Sequence, residues 1–362
     1  MNNFHPLRLG RFWIGLFGLI GLFGLGSCEA QDVQVTQVSA PSDIAPKQAA
    51  SADQPTSLER LSIYEFGQIY EPSGIRAIGN GKFLVIEDET SRALSLLEPR
   101  SPSGFFRTPI TSNNPFLVGP LEDLEGIATN DHGSFYAITS HSKNAKYRLP
   151  ASRKKLVRFE LNDSKMSNSA VIHGLKKQIL EKFGTLRKRI SGKKADLNIE
   201  ALSYHRVDHS LLIGLRAPLK GEKAIIVVLK NPGPVFEKGE KIEFAEQLVR
   251  LDLDGGGIRA MAYDATLGGY LILSRREDKK DKSFKLWLWD GEVTVQRIRF
   301  GSNIDLDFAE GVTPISFAGA DGILIVFDDG NRRKKRGGHY LFVPYDHLRF
   351  SSGWAKQVGT SN

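Results

Sequence analysis

The chain has 362 residues, with 49 Lys and Arg against 41 Asp and Glu for a formal charge of +8, and a single cysteine. One cysteine excludes an internal disulfide, so the fold must be held by its core alone. There is no G-x-S-x-G elbow, no GxxxxGK[ST] phosphate loop and no H-E-x-x-H pair, which disfavours the α/β serine esterases, P-loop enzymes and zinc proteases.

Residues 1–27 combine Arg8 and Arg11 with an apolar, glycine-rich stretch from Phe12 to Leu25. The stretch is short of the ~20 residues of a spanning helix and reads as an export signal. Its LGSC ending resembles the box of bacterial lipoprotein signals. The resemblance implies cleavage before Cys28, a lipid on that sulfur, and attachment to the cell envelope, periplasmic or surface. Residues 28–58 are poor in aromatics and rich in Ala, Ser, Gln, Asp and Pro, as expected of a disordered tether. At ~5–6 Å times the square root of its length, such a tether spans about 30 Å.

Residues 59–350 carry a repeat, and 351–362 form a short tail. The copies begin PSGIRAIGNGKFLVIEDE at Pro72, LEGIATNDHGSFYAITSH at Leu124, IEALSYHRVDHSLLIGLR at Ile199, IRAMAYDATLGGYLILSRRE at Ile258 and AEGVTPISFAGADGILIVFDD at Ala309. Each is a short apolar strand, a polar turn and a second strand. Third strands follow in ALSLL, KKLVRFEL, KAIIVVLK, FKLWLW and HYLFVPY, and fourth strands in QLVRLDL and VQRIRF. Repeated four-stranded units predict an all-β fold, a single β-propeller of five blades, with six blades or a two-sheet sandwich as alternatives. The last copy lacks a fourth strand, and RLSIYEFG at residues 60–67 is expected to supply it and close the ring. Within the second copy, apolar residues at Ile172, Leu175, Ile179, Phe183, Leu186 and Ile190 predict one inserted amphipathic helix over 171–190, packed on the ring or touching a membrane.

Two antiparallel strands joined by a tight turn start and finish on the same side. The residues before each inner strand, Ser73, Glu125, Glu200, Arg259 and Glu310, therefore share a channel mouth with Asp123 and Asp307 just upstream. The matching exits are Asp88, His141, Arg216, Arg275 and Asp328. Ligand-binding candidates are Glu125, Glu200, Glu310, His141, Arg216, Arg275, Asp88 and Asp328. Asp123, Glu125, Glu200, Asp307 and Glu310 supply the hard oxygens that calcium needs, so calcium is the one cofactor the sequence suggests. A ring of salt bridges between blades is the alternative use of the same charges. His132, His205 and His209 read as turn residues, and Asp252 and Asp254 as a strand-ending turn.

The loops joining second to third strands lie on the same face. Residues 142–155 hold six Lys or Arg, 216–223 three, 275–283 five and 331–336 five, an excess over the intervening acids larger than the whole chain's +8. Such concentration points to an anionic partner. Export excludes nucleic acid, leaving anionic lipid, phosphorylated polysaccharide or a phosphoester.

Through DLEGIATND at 123–131, DLNIEALSYH at 196–205 and LLIGLRAPLKGEKAIIVVLKNP at 211–232, the sequence resembles a bacterial family of exported proteins, domain-of-unknown-function family 3616. The likeness runs from about residue 70 to 345, with Ala201 where glycine is expected after the Glu. More distantly, the E-G-[IL] starts resemble the esterase-like phytases, a resemblance that implies phosphoester chemistry. The expected function is an envelope-anchored propeller that binds an anionic ligand. A calcium-dependent phosphoesterase, with Arg216 and Arg275 gripping phosphate oxygens, and a structural scaffold are the alternatives.

Overall fold

The computed structural model describes residues 61–351, except the segments 89–92, 102–103, 113–117, 131, 191–195, 278–282, 302–303 and 318. The leader, Cys28, the tether and nearly all of the tail lie outside the described residues. A short strand β1 (Ile63–Glu65) precedes the first repeat, which forms β2 (Pro72–Gly79), β3 (Lys82–Glu87), β4 (Leu94–Ser101) and β5 (Gly104–Pro109). The second blade is β7 (Leu124–Thr129), β8 (Ser134–Thr139), β9 (Lys155–Asn162) and β10 (Lys165–His173), with β6 (Thr111–Ser112) added in parallel outside β10. The third is β11 (Asn198–His205), β12 (Ser210–Lys220), β13 (Lys223–Leu229) and β14 (Val249–Leu251). The fourth is β15 (Gly256–Asp264), β16 (Gly269–Arg276), β17 (Phe284–Trp289) and β18 (Val295–Phe300). The fifth is β19 (Ala309–Phe317), β20 (Ala320–Phe327) and β21 (His339–Pro344), and β22 (Leu348–Phe350) returns to the fourth blade beside β18.

The ring is a five-bladed β-propeller, and β1 completes the fifth blade by pairing antiparallel to β21, Ile63 opposite Leu341. Closure draws on stacking of Tyr64 on Tyr340 at 5.5 Å and on two backbone bonds, Phe66 N–H to Gly338 and Gly338 N–H to Ile69. Glycine is required at 337 and 338, because a Cβ would sit 1.7 Å from the Phe66 carbonyl oxygen at the first and 2.7 Å from Pro72 at the second.

Alternation along each strand divides its residues between two neighbours. Leu211 and Ile213 pack toward the second blade, whereas Leu212 packs toward the fourth. Likewise Ile323 and Ile325 face the fourth blade, and Leu324 and Val326 the first. A further cluster around Leu84, Ile86, Ala137 and Val157 joins the first blade to the second. Each interface of the ring thus has its own core, which is why no blade can bury its faces alone.

The inserted segment departs from the predicted single helix. Val171, Ile172 and His173 are the end of β10, paired with Val157, Leu156 and Lys155. Their β-branched pair suits a strand, and Gly174 at φ 74 turns the chain into helix α1 (Leu175–Lys182). Phe183 at φ −110 and ψ 75 interrupts the helix before α2 (Gly184–Arg189). Leu175, Ile179 and Leu186 are fully buried against the core between the second and third blades, so the apolar face is covered by the ring. A third short helix, α3 (Pro232–Lys238), fills the connection between β13 and β14, with Pro at its start and Gly239 at φ 66 after its end. Among the described residues no helix is long and apolar enough to cross a membrane.

Candidate functional site

The five inner strands share one irregularity at the same place. Register slips between Pro72 and Gly74, Leu124 and Gly126, Ile199 and Ala201, Ile258 and Ala260, and Ala309 and Gly311. The unpaired residue is Ser73, Glu125, Glu200, Arg259 or Glu310 in turn. A bulge re-aims the side chain it carries, and here it gathers this column at the mouth. The residue after the bulge must be small because the inner strands nearly touch: a Cβ on Gly126 would lie 2.8 Å from the Leu202 amide nitrogen, and one on Gly311 2.9 Å from Gly74 Cα. The E-G pairs therefore record a close approach of blades. Below the mouth the channel closes to a void of about 10 Å³, room for about one water.

On one half of the mouth the charges neutralise one another across blades. Arg259 Nη1 lies 2.6 Å from Glu200 Oε2 and its Nη2 contacts Glu310, so one guanidinium joins the third, fourth and fifth blades. Glu200 Oε1 accepts from Arg216 Nη1 at 2.7 Å and from Asn198 Nδ2 at 2.9 Å. Arg216 continues to Glu277, with Nη2 at 2.7 Å, and Arg275 Nη1 reaches the same carboxylate oxygen at 3.2 Å. Burial lowers the Arg259 pKa against the pull of Glu200. At Arg216 burial acts in the same direction, but Glu200 and Glu277 outweigh it and the pKa rises.

The other half is acid-rich. Asp123, at φ 61, takes hydrogen bonds from Ser140 Oγ, from Ser142 Oγ at 3.3 Å and from Arg153 Nη1 at 2.8 Å. Asp88 is exposed as a residue, yet its carboxyl is pushed up to about 7, first by desolvation and then by Asp123, with which it shares a hydrogen bond. Desolvation followed by Glu71 raises Asp328 to about 6. Glu125 is raised well above the carboxylate range by burial, then by Glu200 and Asp123, against the pull of Arg259. Burial and neighbouring acids thus favour the protonated form of these carboxyls, the form a general acid or a hydrogen-bond donor requires.

Two expected residues are placed elsewhere. His141 lies fully buried at φ 56 and lines a separate cavity beneath α1. Asp307 is exposed in the turn before β19, where its N–H donates to Asp305. Among the described residues no group of three or more His, Cys, Asp or Glu is placed to hold a metal ion. Glu200 and Glu310 are turned to Arg259 instead. Glu277, Arg153 and Asn198 belong to the mouth although the repeat did not single them out. Glu277 directly follows the exit arginines Arg275 and Arg276, and that adjacency was its one signal.

The basic loops are partly consumed in structure. Lys155 Nζ donates to the Pro120 carbonyl at 2.8 Å, Arg153 holds Glu122 and Asp123, and Arg332 stacks over Tyr70. Among the described residues Lys146, Arg148, Lys223, Arg333, Lys334 and Lys335 stay exposed and have no carboxylate partner.

No family model matches the chain, and no curated protein matches it. Among solved structures it is similar to the major Malassezia sympodialis allergen Mala s 1, at 9% identity and TM-score 0.43, over 79% of this chain and 96% of that one. The PQQ-bound aldose sugar dehydrogenase of Streptomyces coelicolor has 13% identity and TM-score 0.41, over 78% and 99% of the two chains. A GH43 β-1,3-galactosidase with galactodeoxynojirimycin has 7% identity and TM-score 0.44, over 77% and 94%.

Proposed function

We propose that this propeller is an exported protein, lipid-anchored through Cys28 and akin to domain-of-unknown-function family 3616, that binds an anionic ligand or partner on its basic face. One observation carries the reading: the arginines inside the mouth are neutralised by Glu200, Glu277 and Glu310, whereas six cations in the surrounding loops have no acid partner. Unpaired cations on one face steer an anion and hold it by charge, with binding that weakens as salt rises. A tether on Cys28 would keep the propeller near an envelope whose lipids and phosphorylated polysaccharides are anionic.

Sedimentation with phosphatidylglycerol vesicles, compared with phosphatidylcholine vesicles in rising salt, tests the reading. Binding confined to the anionic vesicles and abolished by R333E/K334E/K335E is expected. Equal binding to both vesicles, or none to phosphatidylglycerol and none to a teichoic acid or phosphorylated glycan, refutes it. The calcium-dependent phosphoesterase needs carboxylates free to ligate, and Glu200 and Glu310 are committed to Arg259. Micromolar calcium binding lost in E125Q/E200Q/E310Q would restore that reading.

A further inference from the structure

At the end of the ring opposite the mouth, the inner strands of the first, fourth and fifth blades finish around a cavity of about 300 Å³. That volume stands at the lower end of small-molecule sites, about 300–1,000 Å³. Its walls are pinned across blades. The Ala77 N–H donates to Thr313 Oγ1 at 3.0 Å, joining the first blade to the fifth. Asp264, fully buried, accepts the Tyr345 hydroxyl at 2.8 Å and the Leu267 N–H at 2.9 Å, which ties the fourth blade to the turn after β21. Asp264 is therefore an anchor behind the wall and not a group offered to a ligand. A cavity fixed in this way before anything binds loses little ordering entropy on binding.

The groups offered are those with accessible surface. Arg206, Ser316 and Asp321 are exposed at the cavity, and Pro314 and Ile315 are half-buried in its wall. The Arg206 guanidinium lies 5.6 Å over the Tyr263 ring, and stacking of that kind fixes its plane and directs its N–H groups along the edge. Asp321 takes one hydrogen bond, from the Ser316 hydroxyl to Oδ1, and a carboxylate has lone pairs for further donors. The two exposed charges thus have opposite signs, and the third charge in the wall, Arg76, acts on the buried Asp264. A bare anion at this site meets Asp321, and a bare cation meets Arg206. The complement is an uncharged molecule whose edge carries hydroxyls, which both donate and accept, and whose face presents C–H groups to Pro314 and Ile315. A sugar ring has that form.

We infer that this cavity binds one pyranose ring of an uncharged sugar, its hydroxyls donating to Asp321 and accepting from Arg206, and its C–H face against Pro314 and Ile315. The site lies at the other end of the ring from the basic loops and does not rest on their binding an anion. A free sugar and the end residue of a polysaccharide share this chemistry.

Calorimetric titration of the full-length protein with the methyl pyranosides of glucose, galactose, mannose and N-acetylglucosamine, with maltotriose and chitotriose, and with phosphate and alanine tests it. Saturable binding of at least one pyranoside is expected. A trisaccharide that binds more tightly than its monosaccharide names a polysaccharide end as the source, and equal affinity names the free sugar. R206A and D321A, both at exposed residues, should each weaken the best pyranoside about tenfold with an unchanged melting temperature. T266W, at an exposed turn residue of the cavity rim, should obstruct the site and cost at least as much. R333E/K334E/K335E should leave this binding intact, so failure of the surface reading and failure of this one are separate results. No saturable binding of any pyranoside, affinity for phosphate or for the zwitterion alanine equal to the best pyranoside, or undiminished binding by R206A and D321A overturns the inference.

Discussion

Arg259→Met removes one guanidinium and leaves the methylene volume. In the folded protein it leaves Glu310, 6% exposed, without its guanidinium, and takes from Glu200, 2% exposed, one of two, since Arg216 stays at 2.7 Å. Breaking a buried pair by deleting one partner costs about 3–5 kcal/mol, because the remaining charge stays desolvated. Each kcal/mol moves the midpoint of a 150–250-residue domain by about 2–4 °C, and a propeller of nearly 300 residues takes the smaller figure, so the melting temperature should fall by about 6–10 °C. Neutralising both carboxylates in R259M/E200Q/E310Q should recover part of the loss. Differential scanning calorimetry of wild type, R259M and R259M/E200Q/E310Q at pH 8 decides the matter. A melting temperature for R259M within about 2 °C of wild type at pH 8 would refute a buried bridge that locks the blades.

Desolvation and then Asp123 push the Asp88 carboxyl up to about 7 from its ordinary 3.8, so its native form keeps a proton that the unfolded chain releases. Stability from this group is present below about pH 4 and falls as pH rises through about 7. Asp88→Asn should gain on wild type progressively across that window in urea unfolding, and parallel pH profiles would count against the shared proton. Gly126→Ala drives a Cβ to 2.8 Å from backbone, whereas at Gly74 the atom met at that distance is the Ile86 Cδ1, which can swing aside. Thermal melts should therefore rank Gly126→Ala below Gly74→Ala by about 1–3 kcal/mol, and the reverse order would contradict the close approach. A chain beginning at Phe66 lacks β1 and exposes the edge of β21, so sedimentation should show concentration-dependent self-association that the full chain does not share.

Hairpin parity made the meeting of Glu200 and Arg216 legible, because strand period and turn position fix which ends share a side. The same rule misplaced His141, since it locates a backbone end but not the side chain, and the left-handed turn at 141 sends the ring under α1. The bulges were invisible, although their consequence was written as a small residue after Ser73, Glu125, Glu200, Arg259 and Glu310. One extra residue changes no alternation that can be counted outside the strand. The segment at 171–173 was misread as helix because Ile172 suits both periods, and only pairing with β9 decides between them. Ion pairing in place of metal binding depends on side-chain distances of a few ångströms, which residue order does not contain.

The inequality of the five copies explains the asymmetry of the mouth. Identical bulges place five side chains in one narrow ring, and five carboxylates there would repel one another with little water to screen them. Arg259 relieves this for Glu200 and Glu310, and Ser73 adds no charge, donating its hydroxyl to the Leu124 carbonyl. Glu125 is left beside Asp123 and Asp88, and although Arg259 acts on Glu125 and Arg153 on the two aspartates, burial still favours the protonated form of Glu125 and Asp88. Where the inner strands approach one another, the described residues leave a void of about 10 Å³. On the proposed reading, an anion held at this end meets mouth arginines that are already paired, and the exposed loop cations supply the charge.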